Sequence, residues 1–210
     1  MSEVSITKEA KIRADVIMVS QKLFKRHGYA KTTMEDIAKA MGKKKSTLYY
    51  YYKSKDEILE ATLLFESNDI LTKISNATNN ISTTKERLRC YILEYFKLVH
   101  EKAIEYDVLQ EEVKNGEIYS INQSFISNYL AELNEKHKVI IRGILAIGIK
   151  ENEFRKEILD DLEDWVDMVF TVIVSVSTVF TNGFINEIYG KNEVKKLTLL
   201  TDLILRGLTA

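Results

Sequence analysis

The spacing of apolar residues along the chain predicts α-helices from its first segment to its last. Between residues 12 and 27, apolar side chains recur at intervals of three and four positions, which places them on one face of a helix. Gly28 follows this run and can adopt the left-handed conformation that ends a helix. The 210 residues include no proline, the residue that breaks helices by removing a backbone donor. Both observations predict an all-α protein.

Further helix starts follow closely on the first helix. Thr33 with Asp36 has the pattern of an N-cap and its reciprocal partner, and Ser54 with Glu57 repeats that pattern. The first pair predicts a short helix, and the second pair predicts the start of a longer one. A third helix is expected between them, at about residues 45–51. These closely spaced starts predict a compact N-terminal domain of short helices.

The rest of the chain keeps a helical pattern with less sharp boundaries. It predicts helices at about residues 84–103, 105–115, 120–150, 156–183 and 192–208. Within the fourth of these, residues 172–179 alternate β-branched side chains with serine, which also suits a strand. The length of the surrounding apolar pattern favours a helix there.

One segment resembles a membrane span in length but not in composition. Residues 168–186 contain no formal charge, yet seven of them carry hydroxyl or amide side chains that would be costly in hydrocarbon. A buried or interfacial helix is the favoured interpretation. The single cysteine, Cys90, cannot form an internal disulfide, and the N-terminus shows no signal-peptide pattern. We therefore expect a cytoplasmic protein without a membrane partner.

The charge of the chain is distributed unevenly. Residues 1–56 hold 13 Lys or Arg and 6 Asp or Glu, while residues 57–210 hold 17 and 25, so the overall charge of −1 conceals a basic N-terminal part. A basic module followed by an acidic body is typical of proteins that bind a polyanion. Chance clustering of surface lysines would give the same balance. We predict a DNA-binding domain at 1–56 and a second domain at 57–210.

The second and third predicted helices, with Gly42 in the turn between them, form the pattern of a helix-turn-helix unit. In such units the second helix lies in the major groove of DNA. Helical spacing places Leu48 and Tyr52 on one face, which we predict to be core, and leaves the other face for DNA. Lysines and hydroxyl side chains that suit phosphates and base edges occupy the remaining positions, namely Lys43, Lys44, Lys45, Ser46, Thr47, Tyr49 and, at the next helix, Lys55. A solvated lysine run beside a tyrosine-rich core helix is the alternative, and the helix caps on both sides count against it.

This stretch resembles the TetR family of bacterial transcription regulators. The resemblance covers about fifty residues and is carried by Leu23-Phe24, His27-Gly28-Tyr29, Thr32-Thr33, Ile37-Ala38, Met41-Gly42, Thr47-Leu48-Tyr49-Tyr50, Tyr52-Lys53-Ser54-Lys55 and Ile58-Leu59. It implies an all-helical homodimer with an N-terminal three-helix DNA-binding domain and a larger helical domain for ligand binding and dimerisation. Where the family usually has a valine and then a serine or threonine cap, this chain has Lys43 and Lys44, and Ser46 replaces the usual glycine.

The resemblance also implies individual site residues. Positions matching the DNA contacts of the family are Thr33, Lys45, Ser46, Thr47, Tyr49, Tyr50, Tyr51 and Lys55. For the ligand cavity that the family implies, the aromatic candidates are Tyr95, Phe96, Tyr106, Phe125 and Trp165. Tyrosine suits such a pocket because it combines an apolar body with a polar end, although it suits a plain helical core equally well. Cationic aromatic compounds and acyl chains are both compatible with this composition.

The last two predicted helices carry the strongest apolar stripes. Family members dimerise by packing two such helices against their copies, and the corresponding residues here are Val169, Ile173, Val176, Phe180, Leu197, Leu200, Ile204 and Leu208. The alternative is that these stripes fill the core of the protomer. A two-fold dimer would bind a palindromic operator in double-stranded DNA.

Catalysis finds little support in the sequence. His27, His100 and His137 are isolated, and no cysteine or histidine cluster, nucleophile elbow or phosphate loop occurs. We expect no enzyme activity, no cofactor and no metal site. The predicted function is that of a repressor released from its operator by an unknown small-molecule effector. A ligand-responsive activator remains open, as does a helical binding protein or enzyme without a role on DNA.

Overall fold

The computed structural model describes residues 8–115, 123–181 and 193–209, and helices dominate all three ranges. The α-helices in chain order are α1 (Lys8–His27), α2 (Met34–Ala40), α3 (Lys45–Tyr51), α4 (Lys55–Thr78), α5 (Thr84–Glu105), α6 (Asp107–Lys114), α7 (Gln123–Lys150), α8 (Leu162–Thr181) and α9 (Glu193–Leu208). The three ranges contain no β-strand, and residues 172–179 lie within α8. The prediction of an all-α protein is confirmed.

The helix starts near the N-terminus follow the predicted caps. Thr33 Oγ1 accepts a hydrogen bond from the Asp36 N–H at 3.1 Å, and the Asp36 carboxylate accepts from the Thr33 N–H at 2.9 Å. This capping box begins α2, as predicted. At α4 only half of the predicted box forms, since Ser54 Oγ accepts from the Glu57 N–H while the Glu57 carboxylate accepts from the Lys53 N–H.

The prediction of one continuous helix over residues 156–183 is wrong. Lys156–Leu159 forms a separate 3-10 helix, and α8 begins only at Leu162. The Arg155 N–H donates to the Leu208 carbonyl at 2.9 Å, and the Ile158 side chain is buried. These contacts with residues distant in the sequence hold residues 156–159 in the tighter 3-10 helix. Helical periodicity alone could not predict them.

No described helix is long and apolar enough to cross a membrane. The uncharged segment singled out in the sequence lies in α8 as far as Thr181, and its last five residues are outside the described ranges. The interpretation as a membrane span therefore has no support in the described part of the chain.

The chain divides into two compact units. The first unit comprises Met1–Asn68 and Ala103–Tyr129, and the second comprises Asp69–Lys102 and Leu130–Ala210. Within the first unit, the side chains that pack into one apolar core are Val16, Phe24, Tyr29, Met34, Ile37, Ala38, Leu48, Tyr52, Ile58, Leu59 and Tyr106. Leu48 and Tyr52 are thus core residues, as their helical spacing predicted.

The apolar core of the second unit is built from its long helices. It contains residues of α4, α5, α7, α8 and α9, among them Ile74, Tyr91, Leu145, Val166 and Leu205. Burying such side chains contributes roughly 1.5–3 kcal/mol each. The second unit therefore has a core of its own.

Two glycines with positive φ differ in what surrounds them. Gly28 has φ +79° and Gly42 has φ +63°, a conformation that costs other residues roughly 1–2 kcal/mol. A Cβ on Gly28 would collide with the carboxylate of Glu112, whereas a Cβ on Gly42 would meet no atom within 4 Å. Gly28 therefore serves both the backbone turn and the close approach of α6.

We expect Gly28→Ala to lower the free energy of unfolding by about 1–3 kcal/mol more than Gly42→Ala, because only the first variant displaces a buried, hydrogen-bonded carboxylate. Urea unfolding of the two variants measures the difference, and Gly42→Ala controls for the backbone strain. Equal losses in the two variants would contradict the role of Glu112.

Candidate nucleic-acid interface

Helices α2 and α3 form the predicted helix-turn-helix unit. The turn between them contains Gly42, and the Lys43 N–H donates to the Ala38 carbonyl at 2.9 Å. Lys44 is the N-cap of α3 and makes no side-chain cap. Leu48, which is 2% exposed, anchors α3 to the core of the first unit. The opposite side of α3 is therefore presented to solvent.

Most of the predicted DNA contacts lie on this solvent side. Thr33, Lys44, Lys45, Ser46, Tyr49 and Tyr50 are exposed, and Thr47, Tyr51 and Lys55 are half-buried. Tyr50 is 76% exposed, which is unusual for an aromatic side chain and leaves most of it available to a partner. The Lys45 ammonium lies 6.0 Å from the centre of the Tyr49 ring. The structure thus brings the residues of α3 together as one surface that combines lysine, hydroxyl and aromatic groups.

Lys55 differs from the other candidates because its ammonium already has a partner. It donates to the Tyr29 carbonyl at 2.7 Å and lies 4.0 Å from the centre of the Tyr29 ring. Burial lowers the pKa of Lys55. A contact between this lysine and a DNA phosphate would have to compete with the bond to Tyr29.

Tyr29 itself is held from several sides, which the sequence did not predict. The N–H groups of Tyr29 and Ala30 donate to the Glu112 carboxylate of α6 at 2.6 and 3.0 Å, and the Tyr29 hydroxyl donates to Asp56. Two consecutive N–H groups after a left-handed glycine form a concavity suited to an anion. The Gly28-Tyr29 pair could have indicated that such an acceptor was needed, but nothing in the sequence pointed to Glu112.

The structure separates Tyr106 from the other candidates for a ligand cavity. Its ring packs into the core of the first unit, and its hydroxyl donates to Glu66 Oε1 at 2.6 Å. Burial, followed by this hydrogen bond, raises the pKa of Tyr106. The Lys25 ammonium lies 3.3 Å from Glu66 Oε1 and 2.6 Å from Glu105 Oε2, which completes a charged cluster around the ring.

Tyr95, Phe96 and Trp165 belong to the core of the second unit, while the side chain of Phe125 is outside the described residues. His137, which looked isolated in the sequence, lies next to the rings of Tyr91, Tyr95 and Phe170. It is 3% exposed, its Nδ1 is 2.6 Å from the Tyr91 hydroxyl oxygen, and the Tyr95 ring stands perpendicular to it at 5.0 Å. Burial lowers the pKa of His137 to about 4, so the ring is neutral near pH 7. The pair places hydrogen-bonding groups among the aromatic side chains of this core.

The predicted dimerisation residues differ in burial. Val169, Ile173 and Leu208 are buried within the second unit, and Val176, Leu197, Leu200 and Ile204 are half-buried. The side chain of Phe180 is outside the described residues. Among the described side chains of α8 and α9, the large apolar ones that are exposed are Met168, Leu199 and Leu203, which are neighbours of the predicted residues, and Leu203 is 70% exposed.

Within the described ranges, no three His, Cys, Asp or Glu side chains converge as metal ligands would.

Comparison with known proteins agrees with this geometry. Residues 17–62 match the model of the family described as bacterial regulatory proteins, tetR family. The chain is 25% identical over 146 residues to the HTH-type transcriptional repressor KstR2 of Rhodococcus jostii (strain RHA1), covering 70% of this chain and 69% of that protein. It is 29% identical over 150 residues to IcaR of Staphylococcus aureus (strain Newman), the negative transcriptional regulator of the biofilm operon icaADBC, covering 68% and 76%.

The fold is likewise shared with solved structures. A transcriptional regulator from Cytophaga hutchinsonii ATCC 33406 superposes with a TM-score of 0.75 at 19% identity, over 95% of this chain and 99% of that one. The matched segment 17–62 contains α2 and α3 with the turn between them. The helix-turn-helix unit within the matched segment and these relatives together indicate a transcriptional regulator of the TetR family.

Proposed function

We propose that this regulator is a homodimeric repressor that binds a palindromic operator and leaves it when a small molecule binds. The observation that carries the DNA-binding part is the exposed surface of α3, which is formed by Lys45, Ser46, Tyr49 and Tyr50, while Leu48 packs into the core. KstR2 is named a repressor and IcaR a negative regulator, which favours repression over activation. The proposed DNA-binding domain is residues 1–56, and residues 57–210 form the domain for ligand and partner.

For the effector, we place the binding site in the core of the second unit. The aromatic side chains of Tyr95, Phe96 and Trp165 offer apolar area, and the Tyr91–His137 pair offers a neutral hydrogen-bonding group. This combination suits an effector with a largely apolar body and one polar group. Tyr106 is not included, because its hydroxyl already bonds to Glu66 in the first unit.

The switch would act through α4. The first residues of this helix, Lys55 and Asp56, bond to Tyr29 next to the helix-turn-helix unit. A shift of α4 would therefore be transmitted to the turn between α1 and α2. Such coupling requires that the effector binds one conformation better than the other. An effector that binds without changing operator affinity would contradict this part of the proposal.

The exposed apolar side chains of α8 and α9 provide a test of dimerisation. We expect Leu199→Glu combined with Leu203→Glu to convert the dimer to monomers, because carboxylates would be buried without partners in an apolar interface. Sedimentation equilibrium measures the change. Leu159→Glu is the matched control, since Leu159 is similarly exposed but lies in the 3-10 helix. A double variant that stays dimeric would exclude these residues from the interface.

The experiment that tests the proposed function is selection of bound duplexes from a randomised DNA pool by the purified protein at low salt, followed by sequencing. Enrichment of a palindromic site is the expected result, because a two-fold dimer presents two copies of α3. Failure to enrich any sequence would contradict sequence-specific binding.

A further inference from the structure

The last turn of α3 is tied to α1 by one side chain. Arg13 Nη1 donates to the Tyr51 carbonyl at 2.7 Å, and Tyr51 is the last residue of α3. A cation at this end of a helix also complements the negative end of the helix dipole. Arg13 was not among the residues that the sequence analysis assigned to the DNA interface.

The guanidinium of Arg13 is held in one orientation. It lies 5.8 Å from the centre of the Tyr51 ring and 5.3 Å from that of the Tyr52 ring. On its other side, Nε is 3.4 Å from Glu9 Oε1 one turn earlier in α1. Planar arginine suits such a position because it can stack on rings and donate in its own plane at the same time, which a lysine ammonium cannot.

The contact continues from Tyr51 to the surface of α3. The rings of Tyr50 and Tyr51 meet edge to face, with centres 5.0 Å apart and planes at 84°. Tyr50 is the most exposed aromatic side chain of α3 and has little else to fix its ring. Arg13 therefore orients Tyr51, and Tyr51 limits the orientations open to Tyr50.

Helix α3 depends on such contacts more than a longer helix would. It has seven residues and no side-chain cap at its N-terminus, and isolated helices of this length are not stable in water. Its position must come from the contacts that its side chains and its last carbonyls make with neighbouring helices. Leu48 supplies the apolar anchor in the middle of the helix, and Arg13 supplies a polar anchor at its C-terminal end.

We propose that Arg13 is a positioning residue for sequence recognition, which holds the end of α3 and the Tyr50 ring in the orientation that reads bases. The proposal rests on the proposed function, in which α3 lies in the major groove. Phosphate contacts act on all DNA sequences alike, whereas base contacts discriminate between them. A positioning residue for a base contact must therefore change discrimination, and a simple phosphate contact must not.

The test compares two duplexes of equal length and composition, the selected site and its shuffled sequence, by fluorescence anisotropy. For Arg13→Gln we expect about a tenfold loss of affinity for the selected site, which is the worth of one hydrogen bond to a charged group. Affinity for the shuffled duplex should fall no further than it does in Lys11→Gln. That variant is the matched control, since Lys11 is an exposed cation on the same helix.

A double-mutant cycle with Tyr50→Ala separates positioning from a general effect on the fold. If Arg13 acts through Tyr50, Arg13→Gln should cost much less discrimination when Tyr50 is already alanine. Arg13→Lys keeps the charge and should still lose part of the discrimination. Thermal unfolding of each variant shows that the compared proteins are folded.

Two results would overturn the proposal. The first is an equal loss of affinity for both duplexes, which is the behaviour of a phosphate contact, and the second is a full loss of discrimination that persists in the Tyr50→Ala background. If the wild-type protein enriches a site but Arg13→Gln discriminates as well as wild type, this inference fails alone. If the wild-type protein enriches no site, the proposed function fails together with it.

Discussion

Replacing Lys45 and Tyr49 together by alanine should abolish sequence-specific DNA binding while the protein stays folded. Both side chains are exposed on α3, and they lie beside each other on the same surface, whereas Leu48 packs into the core. A lysine contact to phosphate and a tyrosine contact to a base edge are each worth roughly 1–3 kcal/mol, so their combined loss should weaken binding about 100-fold or more. Anisotropy titration of the selected duplex measures this loss.

The control for this experiment removes the same kinds of side chain elsewhere. Lys97→Ala combined with Phe65→Ala deletes an exposed lysine on α5 and an exposed ring on α4, outside the helix-turn-helix unit. We expect near wild-type affinity from this control and an unchanged unfolding temperature for the α3 double variant. Wild-type operator affinity in Lys45→Ala/Tyr49→Ala would show that α3 does not read the DNA.

The second large effect is the loss of stability that we expect at acid pH because of His137. Burial holds the pKa of the folded-state histidine at about 4, whereas an unfolded histidine titrates near 6.5. Between these two values the unfolded chain binds a proton that the folded chain does not bind. The free energy of unfolding must therefore fall as the pH is lowered through this range, and stability is fully retained above pH 6.5.

The size of this fall in the free energy of unfolding follows from the difference between the two pKa values of His137. One pKa unit corresponds to about 1.4 kcal/mol, so lowering the pH from about 7 to about 5 should remove roughly 2 kcal/mol through His137 alone. Urea unfolding at the two pH values measures the loss in the wild type and in His137→Gln. The glutamine variant should lack this part of the pH dependence, and His27→Gln, at an exposed position, controls for the loss of a histidine. An equally steep loss in wild type and His137→Gln would contradict the buried, neutral state.

The same histidine bears on the proposed effector site. A neutral His137 beside the Tyr91 hydroxyl can donate or accept a hydrogen bond within an apolar core, whereas a protonated one could not accept. Protonation would also place an unpaired charge among the Tyr95 and Phe170 rings. The low pKa therefore keeps this core suited to an uncharged polar group.

Local signals in the sequence were sufficient for most of the described helices and for the helix-turn-helix unit, although not for the 3-10 helix at Lys156–Leu159. The capping box of Thr33 and Asp36 and the left-handed glycines 28 and 42 act between residues a few positions apart, so their residue types alone reveal them. The apolar spacing around Leu48 likewise showed which side of α3 is buried. From these short-range interactions the fold class and the position of the candidate DNA surface could be predicted, whereas the family came from the resemblance of about fifty residues to known regulators.

The packing and hydrogen-bonding partners of these side chains were decided only by the tertiary structure. Tyr29 and Glu112 are 83 positions apart, and Arg13 and Tyr51 are 38 positions apart, so no local pattern joins them. Periodicity showed that α8 and α9 carry apolar stripes, but it could not show that Val169 is buried while Leu203 is exposed. Residue types and spacing determine helices through local hydrogen bonds, whereas the neighbours of a helix follow from how the whole chain packs.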